Sequence, residues 1–472
     1  MRRAGRLLGG FLAVLAAFAG CSRKSSMTSV EQDLARPPEE WLRQEPVRLL
    51  RDYVRMETTD SRGEIEGALF LRDLLDCPGI ETEIVCPAPK RCNLLARLPG
   101  RRREGALLLL NHIDVVNAYP ELWKEAAPFE GTIKLGFLYG RGAYDMKSVG
   151  LAEALALRWL KERGVVPESD ILFLAEADEE DNQRWGSRWL LEHRPEWFAG
   201  VTCVLNEGGT NEMILRDVRY WGIETLQAGY GLLQFESSDP ALLAALAGQW
   251  PRLSGATVEP HPHVVEAFDL LANHLGHPLT EPLRHLDRVR RYPDELAILP
   301  DRYGAFLEPR INWSPPYSSL SGGKGASRIH VVVSTPPGVD PGVYLGPIGE
   351  DARHTVRVIL SSSSGATAAS PYPTRDTELL RQVIEAWHPG VPFGPIPTYG
   401  GWTTSVAFRR LGIPAYGFSP IPANITDSAR RHGNDERIFL RDYLEGLEIY
   451  KSVLAAFALP PGNKTSAPAN PK

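Results

Sequence analysis

Three apolar runs of the sequence end in side chains that bind metals or transfer protons. The first ends in His112-Ile113-Asp114, the second in Asp178-Glu179-Glu180 and the third in Asn206-Glu207-Gly208-Gly209. If the runs are strands of an open α/β sheet, their carboxyl ends lie at the edge where ligands bind. Carboxylates gathered there repel one another, and a divalent cation is the usual remedy. Imidazole and carboxylate without thiolate suit zinc, or cobalt or manganese in its place.

Two further candidates have weaker local evidence. Asp145 follows a Gly-Arg-Gly turn in GRGAYDMK, and such a turn can present a carboxylate from a tight loop. An aspartate before MKSVGLAEAL can equally be the N-cap of a helix. His432 lies in the polar loop RRHGNDERI, where a histidine is more often simply solvated. The local sequence leaves both roles open.

The elements that position these residues alternate between helix and strand from Trp41 onwards. Apolar residues at helical spacing predict helices over 47–56, 67–76 and 148–164. The continuous apolar run 105–116 predicts a buried parallel strand. We therefore predict an α/β fold with a mixed, mostly parallel sheet and helices on both faces.

The character of the sequence changes near residue 219. Residues 219–370 are richer in Pro, Gly and Ser, and they contain both helical and strand-like segments. The earlier pattern returns at residue 371 and closes with a helix before residue 460. We predict a catalytic domain in two parts, 41–218 and 371–460, interrupted by an inserted domain over 219–370. The tail, 461–472, is predicted to be disordered.

The N-terminus has the order of a secretory signal peptide. A basic start precedes an apolar stretch from residue 7 to residue 19, which is short for a membrane span. Phe18-Ala19-Gly20-Cys21 resembles the lipobox of bacterial lipoproteins, in which cleavage precedes a cysteine that receives lipid. Phe18 departs from the leucine usual there, and plain secretion is the alternative.

We therefore predict a signal peptide over 1–20, lipidation at Cys21 and a flexible tether over 21–40. This places the protein in the bacterial cell envelope, facing the periplasm or the exterior. The membrane would be contacted only through the lipid anchor.

The overall composition argues against a nucleic-acid partner. The chain has 472 residues, 43% hydrophobic and 23% charged, with a formal net charge of -6. That charge is mild, and no basic stripe with interleaved aromatics is present. The length suffices for two or three domains.

Besides Cys21, the sequence has four cysteines. Cys86 and Cys92 flank the loop PAPKR between two strand-like runs, so a disulfide across that loop suits an exported chain. Four cysteines allow three connectivities, so the sequence leaves the pairing open.

The motifs occur in an order that resembles a known family. HIDVV, WKEAAPFEG, GRGAYDMK, AEADEE, NEGG and HGNDERI resemble the motifs of the di-zinc aminoacylase and carboxypeptidase family. That family includes glutamate carboxypeptidase, aminoacylase, succinyl-diaminopimelate desuccinylase and carnosinase-like dipeptidases. The resemblance covers roughly residues 45–215 and 371–458. It implies a zinc-exopeptidase type of fold, interrupted by a smaller α+β lid domain through which a homodimer can form.

The resemblance implies a role for each candidate residue. It gives five ligands to two divalent metal ions: His112, Asp145, Glu180, Glu207 and His432. Asp145 would bridge both metals, and Asp114 would orient the imidazole of His112 by accepting its other N–H. Glu179 would be the general base.

The implied reaction is hydrolysis of an amide bond in a peptide or an N-acyl amino acid. Two metals about 3.5–4 Å apart would hold a hydroxide and polarise the scissile carbonyl. Glu179 would take the proton of the water and return it to the leaving amine. The alternative is a catalytically degenerate, lipid-anchored binding protein that keeps metal for structure. An intact Glu179 favours the hydrolase, because a structural site needs no base.

The lid departs from the family pattern. Relatives carry Gly-His-x-Ser-x-Pro, whose histidine helps to bind the oxyanion, but this sequence reads AGYGLLQFESSDP with Tyr230 at that position. Arg328 lies near the place of an arginine that helps to hold substrate. The resemblance thus implies four substrate contacts: Tyr230, Arg328, Gly400 and Gly401. Three histidines remain as replacements for the missing one: His261, His263 and His330.

Overall fold

A computed structural model describes most of the chain. The described residues are 29–181, 184–214, 217–249, 259–275, 280–289, 301–304, 306–314, 317–318, 327–353, 355–398, 403–422 and 424–459. The predicted signal peptide, Cys21, Gly400, Gly401 and the predicted tail lie outside the described residues.

The helices and strands are numbered along the described chain. The α-helices are α1 (Ser29–Ala35), α2 (Pro38–Trp41), α3 (Glu45–Val54), α4 (Ile65–Leu75), α5 (Lys147–Glu162), α6 (Ser187–His193), α7 (Pro240–Gln249), α8 (Pro262–Leu275), α9 (Thr280–Arg284), α10 (Leu286–Val289), α11 (Asp301–Gly304), α12 (Gly342–Ala352), α13 (Arg375–Trp387), α14 (Ser405–Arg410), α15 (Ile425–Ser428) and α16 (Leu440–Ala458). The strands are β1 (Glu81–Ala88), β2 (Arg91–Leu98), β3 (Arg102–His112), β4 (Thr132–Lys134), β5 (Phe137–Tyr139), β6 (Ser169–Glu176), β7 (Val201–Asn206), β8 (Thr210–Ile214), β9 (Asp217–Gln227), β10 (Gly229–Ser237), β11 (Arg310–Trp313), β12 (Tyr317–Ser318), β13 (Ser327–Thr335), β14 (Arg357–Ser363), β15 (Phe393–Thr398), β16 (Ala415–Gly417) and β17 (Arg437–Phe439).

The largest sheet has the order β1-β2-β6-β3-β7-β16-β9-β15, and β8 pairs with β9. Its central strands β6, β3, β7 and β16 are parallel to one another. The described residues form four parallel and four antiparallel strand pairs in this sheet. The predicted mixed α/β class is confirmed, but parallel pairs do not outnumber antiparallel ones.

Both faces of this sheet are buried, which explains the continuous apolar run of β3. Leu107 and Leu109 belong to the core formed with α3, α4, α5, α13 and α16. Leu108 and Leu110 belong to a second core on the opposite face, formed with α6 and α14. Successive residues of a strand point to opposite faces, so a strand covered on both sides needs apolar residues at every position.

A second sheet has the order β11-β13-β10-β14, with β12 paired to β13. One face of this sheet packs against α7 and α12. Leu233 and Phe235 of β10 belong to this contact, as does Ile348 of α12. These strands lie within the predicted insert, although its boundaries stay a prediction. Strand β9 crosses the predicted boundary at 218 and belongs to the large sheet, where it pairs with β15. Composition marks the insert but does not show which sheet a strand joins.

The predicted tether also overlaps folded structure. Helix α1 begins at Ser29, and its Asp33 is buried and lies 3.3 Å from the guanidinium of Arg441 on α16. The sequence predicts flexibility up to residue 40, but this ion pair holds α1 against the closing helix.

A third, small sheet connects two distant parts of the chain. Its order is β17-β5-β4, and Arg437–Phe439 pairs antiparallel with Phe137–Tyr139. This pairing brings the loop after β5 next to the loop before β17.

The structure contains a disulfide between Cys86 and Cys92, across the β1–β2 turn. The structure thus forms one of the pairings that the sequence left open, while Cys77 and Cys203 carry free thiols. Within the described residues, every helix is too short or too polar to cross a bilayer.

Candidate metal centre

His112 lies at the carboxyl end of β3, and both of its ring nitrogens have close partners. Its Nδ1 lies 2.9 Å from the main-chain oxygen of Asp114. Its Nε2 lies 3.2 Å from Oδ1 of Asp145 and 4.0 Å from Oε1 of Glu207. If Nδ1–H donates to the Asp114 carbonyl, the Nε2 lone pair is free to bind a metal.

Asp145 faces a second histidine with its other oxygen. Its Oδ2 lies 3.1 Å from Nε2 of His432, and the same Nε2 lies 2.9 Å from Oε2 of Glu180. Each oxygen of Asp145 therefore faces one imidazole. This is the arrangement required of a carboxylate that bridges two metals.

These residues fit a pair of divalent cations. They form two groups of three that share Asp145, and within each group the ligand atoms lie within 4.8 Å of one another. Imidazole and carboxylate donors suit zinc. The site opens on one side, because the side chain of His112 is 2% exposed and that of His432 is 51% exposed.

Electrostatics also indicate that the site needs positive charge. Burial and the charge of Asp145 raise the pKa of Glu207 to about 8. Burial acts to lower the pKa of His432, but hydrogen bonds to Asp145 and Glu180 raise it to about 10. Carboxylates this crowded ionise readily only when cations lie among them, and a bound metal supplies that charge.

The turn after β6 separates the two neighbouring glutamates. Asp178 has a φ of 61°, in the left-handed region that aspartate tolerates better than most residues. Its Oδ2 accepts the N–H of Arg184 at 2.7 Å, which stabilises the turn. Glu180 reaches His432, while Glu179 is buried. Burial and the charge of Glu207 raise the pKa of Glu179 well above its usual value.

The position of Asp114 differs in one detail from the prediction. The main-chain oxygen of Asp114, and not its carboxylate, lies within hydrogen-bond distance of His112 Nδ1; Oδ1 is 3.7 Å away. Its Oδ2 instead accepts the N–H of Glu180 at 2.9 Å. Asp114 thus connects the histidine to the turn that carries both glutamates.

Close backbone contacts require a glycine at position 209, two residues after Glu207. Gly209 has a φ of 76°, and a Cβ at this position would lie 2.5 Å from the carbonyl oxygen of Gly222. The chain therefore turns directly after Glu207, which leaves its carboxylate beside His112.

Sequence reasoning missed Glu436, which organises the loop of Asp145. The side chain is fully buried, and its Oε1 accepts the main-chain N–H groups of Tyr144 at 2.8 Å and Asp145 at 3.1 Å. Its Oε2 accepts the N–H of Gly142 at 3.2 Å and a hydrogen bond from Arg141.

Arg141 extends this contact to the loop of the second histidine. Its Nη2 donates to the main-chain oxygens of His432 at 3.3 Å and Gly433 at 2.9 Å. The Arg141–Glu436 pair therefore holds two ligand loops together. Both residues lie inside the quoted motifs, but no local signal pairs residues so far apart in sequence.

The predicted lid contacts are not brought together. Tyr230 pairs in register with Ser334, and Arg328 pairs with Glu236. The two positions are six residues apart along β10, a separation of about 20 Å. The guanidinium of Arg328 also lies 2.8 Å from the carboxylate of Glu236. The roles of Tyr230 and Arg328 as substrate contacts stay a prediction.

The three alternative histidines have other partners. Nδ1 of His263 lies 3.0 Å from Oγ1 of Thr225, and its ring packs against that of His261. Nε2 of His330 lies 2.5 Å from Nε2 of Gln234 across the β10–β13 pair. These contacts do not connect the histidines to the metal ligands.

Comparison with known proteins identifies the family. The chain matches peptidase family M20/M25/M40 over residues 108–456, which is more than half of its length. The chain belongs to this family. The family resemblance drawn from the motifs is thereby confirmed.

Two curated relatives are succinyl-diaminopimelate desuccinylases by name. The protein of Rhodospirillum centenum is 26% identical over 427 residues, which cover 87% of this chain and 96% of that protein. A probable enzyme of Staphylococcus aureus is 36% identical over 148 residues, covering 31% of this chain and 36% of that protein. The chain thus spans about a third of the length of the Staphylococcus aureus relative.

Solved structures share the fold over nearly their whole length. An M20 family metallo-carboxypeptidase from Sulfolobus solfataricus aligns with a TM-score of 0.67 and 15% identity, covering 88% of this chain and 99% of that chain. Human carnosine dipeptidase 1 aligns with a TM-score of 0.66 and 16% identity, covering 91% of this chain and 99% of that chain. At these identities the likeness concerns the fold alone.

Proposed function

We propose that this protein hydrolyses an amide bond in a peptide or an N-acyl amino acid with the help of two divalent metal ions, most simply zinc. The position of Asp145 carries the proposal, because its two oxygens face His112 and His432 separately. His112 and Glu207 would complete one metal site, and Glu180 and His432 the other. The bound metals would polarise the scissile carbonyl and make a water molecule more acidic.

The chain itself would transfer the proton. Glu179 would accept a proton from the attacking water and donate it to the amine nitrogen as the carbon–nitrogen bond breaks. Burial and Glu207 raise the pKa of Glu179, which helps it to keep the proton until the amine leaves. Asp114 would fix the position of His112 relative to the Glu179–Glu180 turn, because it forms one hydrogen bond to each.

The relatives support this reaction class without fixing the substrate. A desuccinylase removes a succinyl group, which in the Rhodospirillum centenum relative is carried by diaminopimelate according to its name. The alternative is a degenerate binding protein with a structural metal. It does not account for Glu179, a buried glutamate that lies beside the two groups of metal ligands.

We also propose that lipid at Cys21 anchors the protein at the outer side of the cytoplasmic membrane or beyond. The order of basic, apolar and small residues before Cys21 supports this. The Cys86–Cys92 disulfide is consistent with an oxidising compartment.

The experiment is a substrate screen of the mature chain with and without zinc. Dipeptides, N-acetyl amino acids and N-succinyl amino acids are incubated with protein that is zinc-loaded or stripped by a chelator, and release of free amine is measured. We expect release by the zinc-loaded protein on at least one class, loss after stripping and recovery when zinc is returned. Absence of release from every amide by fully loaded protein contradicts the proposal.

A further inference from the structure

Arg431 places a positive charge at the rim of the candidate metal centre. Its Nε lies 3.9 Å from Oδ2 of Asp145, and its side chain is 42% exposed. It lines a cavity together with Tyr144, Asp145, Glu207 and Gly208. The guanidinium is therefore close to the metal ligands and partly exposed to solvent.

Bound metals would take over the neutralisation of Asp145 and leave the charge of Arg431 available for a substrate. Two divalent cations exceed the charge of the three ligand carboxylates, Asp145, Glu180 and Glu207, by one positive unit. Asp145 then needs no further neutralisation from Arg431. The guanidinium keeps its planar set of N–H donors, which matches the geometry of a carboxylate.

The expected anchor in the lid is already engaged. Arg328 is the residue that the family resemblance implies for holding substrate, but its guanidinium is bound to Glu236 through Nε at 2.9 Å and Nη2 at 2.8 Å. Glu236 is the residue directly opposite Arg328 in the β10–β13 ladder. The other oxygen of Glu236 lies 3.2 Å from Nη1 of Arg357, its partner in the β10–β14 ladder, so this carboxylate holds Arg328 within a cross-strand ion-pair cluster.

The distance from Arg431 to the metal ligands suits a small substrate. Three covalent bonds separate the scissile carbonyl carbon from the carboxylate carbon of the following residue, a span of roughly 3–4 Å. A carbonyl held at the metals would therefore place such a carboxylate within reach of a cation beside Asp145.

We propose that Arg431 binds a carboxylate of the substrate and thereby selects substrates with a negative charge next to the scissile amide. This inference rests on the proposed function. The carboxylate belongs either to the amino acid that leaves or to the acyl group.

Binding measurements on a variant without turnover test this directly. Zinc-loaded Glu179→Gln protein is titrated calorimetrically with N-acetylleucine, with the neutral N-acetylleucinamide and with N-succinyl-leucinamide, whose carboxylate lies in the acyl group. The titrations are repeated with Arg431→Ala and Arg431→Lys added. Arg430→Ala is the matched control, because the guanidinium of Arg430 donates to the main-chain oxygen of Asp435 at 3.4 Å and not to a metal ligand.

We expect Arg431→Ala to weaken binding of a carboxylate probe by about 10- to 100-fold, as for loss of a charged hydrogen bond. Binding of N-acetylleucinamide and the zinc content should not change, Arg431→Lys should be intermediate, and Arg430→Ala should match the parent. A loss with N-acetylleucine assigns the carboxylate to the amino acid, and a loss with N-succinyl-leucinamide assigns it to the acyl group.

Three results overturn the inference: equal losses on charged and neutral probes, no loss on any probe, or a fall in zinc content. Failure of the proposed function is a separate result. It would be seen as absence of amide hydrolysis by zinc-loaded parent protein, whatever Arg431 binds.

Discussion

Glu179 and Glu180 are adjacent in sequence but have different surroundings. Asp178 turns the chain in the left-handed region, after which Glu180 meets His432 and Glu179 is buried near Glu207. Chemically identical side chains can therefore have separate tasks, because one is placed at a ligand group and the other beside it.

Replacing each glutamate by glutamine should separate these tasks. Glu179→Gln keeps the shape of the side chain but cannot accept a proton, so it should retain zinc while kcat falls by about 10²–10⁴-fold. Glu180→Gln should lower zinc affinity, and added zinc should restore part of the activity. Zinc content and kcat are measured on the same preparations at several zinc concentrations.

Each variant serves as the control for the other. A fully active Glu179→Gln protein, or one whose only defect is lost zinc, would show that Glu179 is not the base.

At the residue scale, the sequence predicts the groups that meet but not all of their contacts. The five predicted ligands do come together, because each follows a recognisable motif. The carboxylate of Asp114 binds the main chain of Glu180, which no motif encodes. The pairing of Arg328 with Glu236 depends on strand register, so the sequence alone could not show that this arginine is engaged.

Between elements, a buried ion pair connects the two ligand loops. Strand β17 pairs with β5, and Glu436, just before β17, accepts hydrogen bonds from the loop after β5. Arg141 carries the contact to the main chain beside His432. Pre-positioned loops lower the cost of assembling a metal site, since fewer conformations are lost on binding.

Glu436→Gln should therefore weaken zinc binding without removing a ligand. Loss of the charge leaves Arg141 without its counter-ion and loosens the loop of Asp145, so zinc affinity should fall by about 10–100-fold, the usual effect of changing groups that support ligands. Competition with a zinc chelator of known affinity measures this.

Glu153→Gln is the matched control for this prediction. Glu153 is also a fully buried glutamate, but it is bonded to the side chains of Asn111 at 3.0 Å and Tyr450 at 3.1 Å. The zinc affinity of the Glu153→Gln protein should equal that of the parent. If both variants lose zinc equally, or if neither does, Glu436 has no special role in holding the ligand loops.

Periodicity predicts the elements well and their neighbours poorly. The helix predicted over 148–164 is α5, Lys147–Glu162, and the strand predicted over 105–116 is β3, Arg102–His112. Both carry a pattern set by local burial. Most of strand β9 lies beyond the boundary predicted at residue 218, but its partners β15 and β16 follow it by more than 150 residues.

At the scale of the whole molecule, the position of the chain in the cell is still a prediction, as is a homodimer through the lid. Cleavage before Cys21 and addition of lipid would leave a short linker before α1, which begins at Ser29. Intact-mass analysis of protein extracted from the membrane fraction should show a chain that starts at a lipid-modified Cys21. A Cys21→Ala variant should lack that mass and leave the membrane fraction. An unmodified cysteine or an uncleaved N-terminus in the parent contradicts this prediction.

The number of metal ions per chain tests the central claim most directly. We expect elemental analysis of fully loaded parent protein to give about two zinc ions per chain, both removable by a chelator. Asp145→Ala should lower occupancy at both positions, because Asp145 faces both histidines, whereas His112→Ala should mainly empty one. At most one ion in the loaded parent, or an Asp145→Ala protein that still binds two, would contradict a shared carboxylate between two metals.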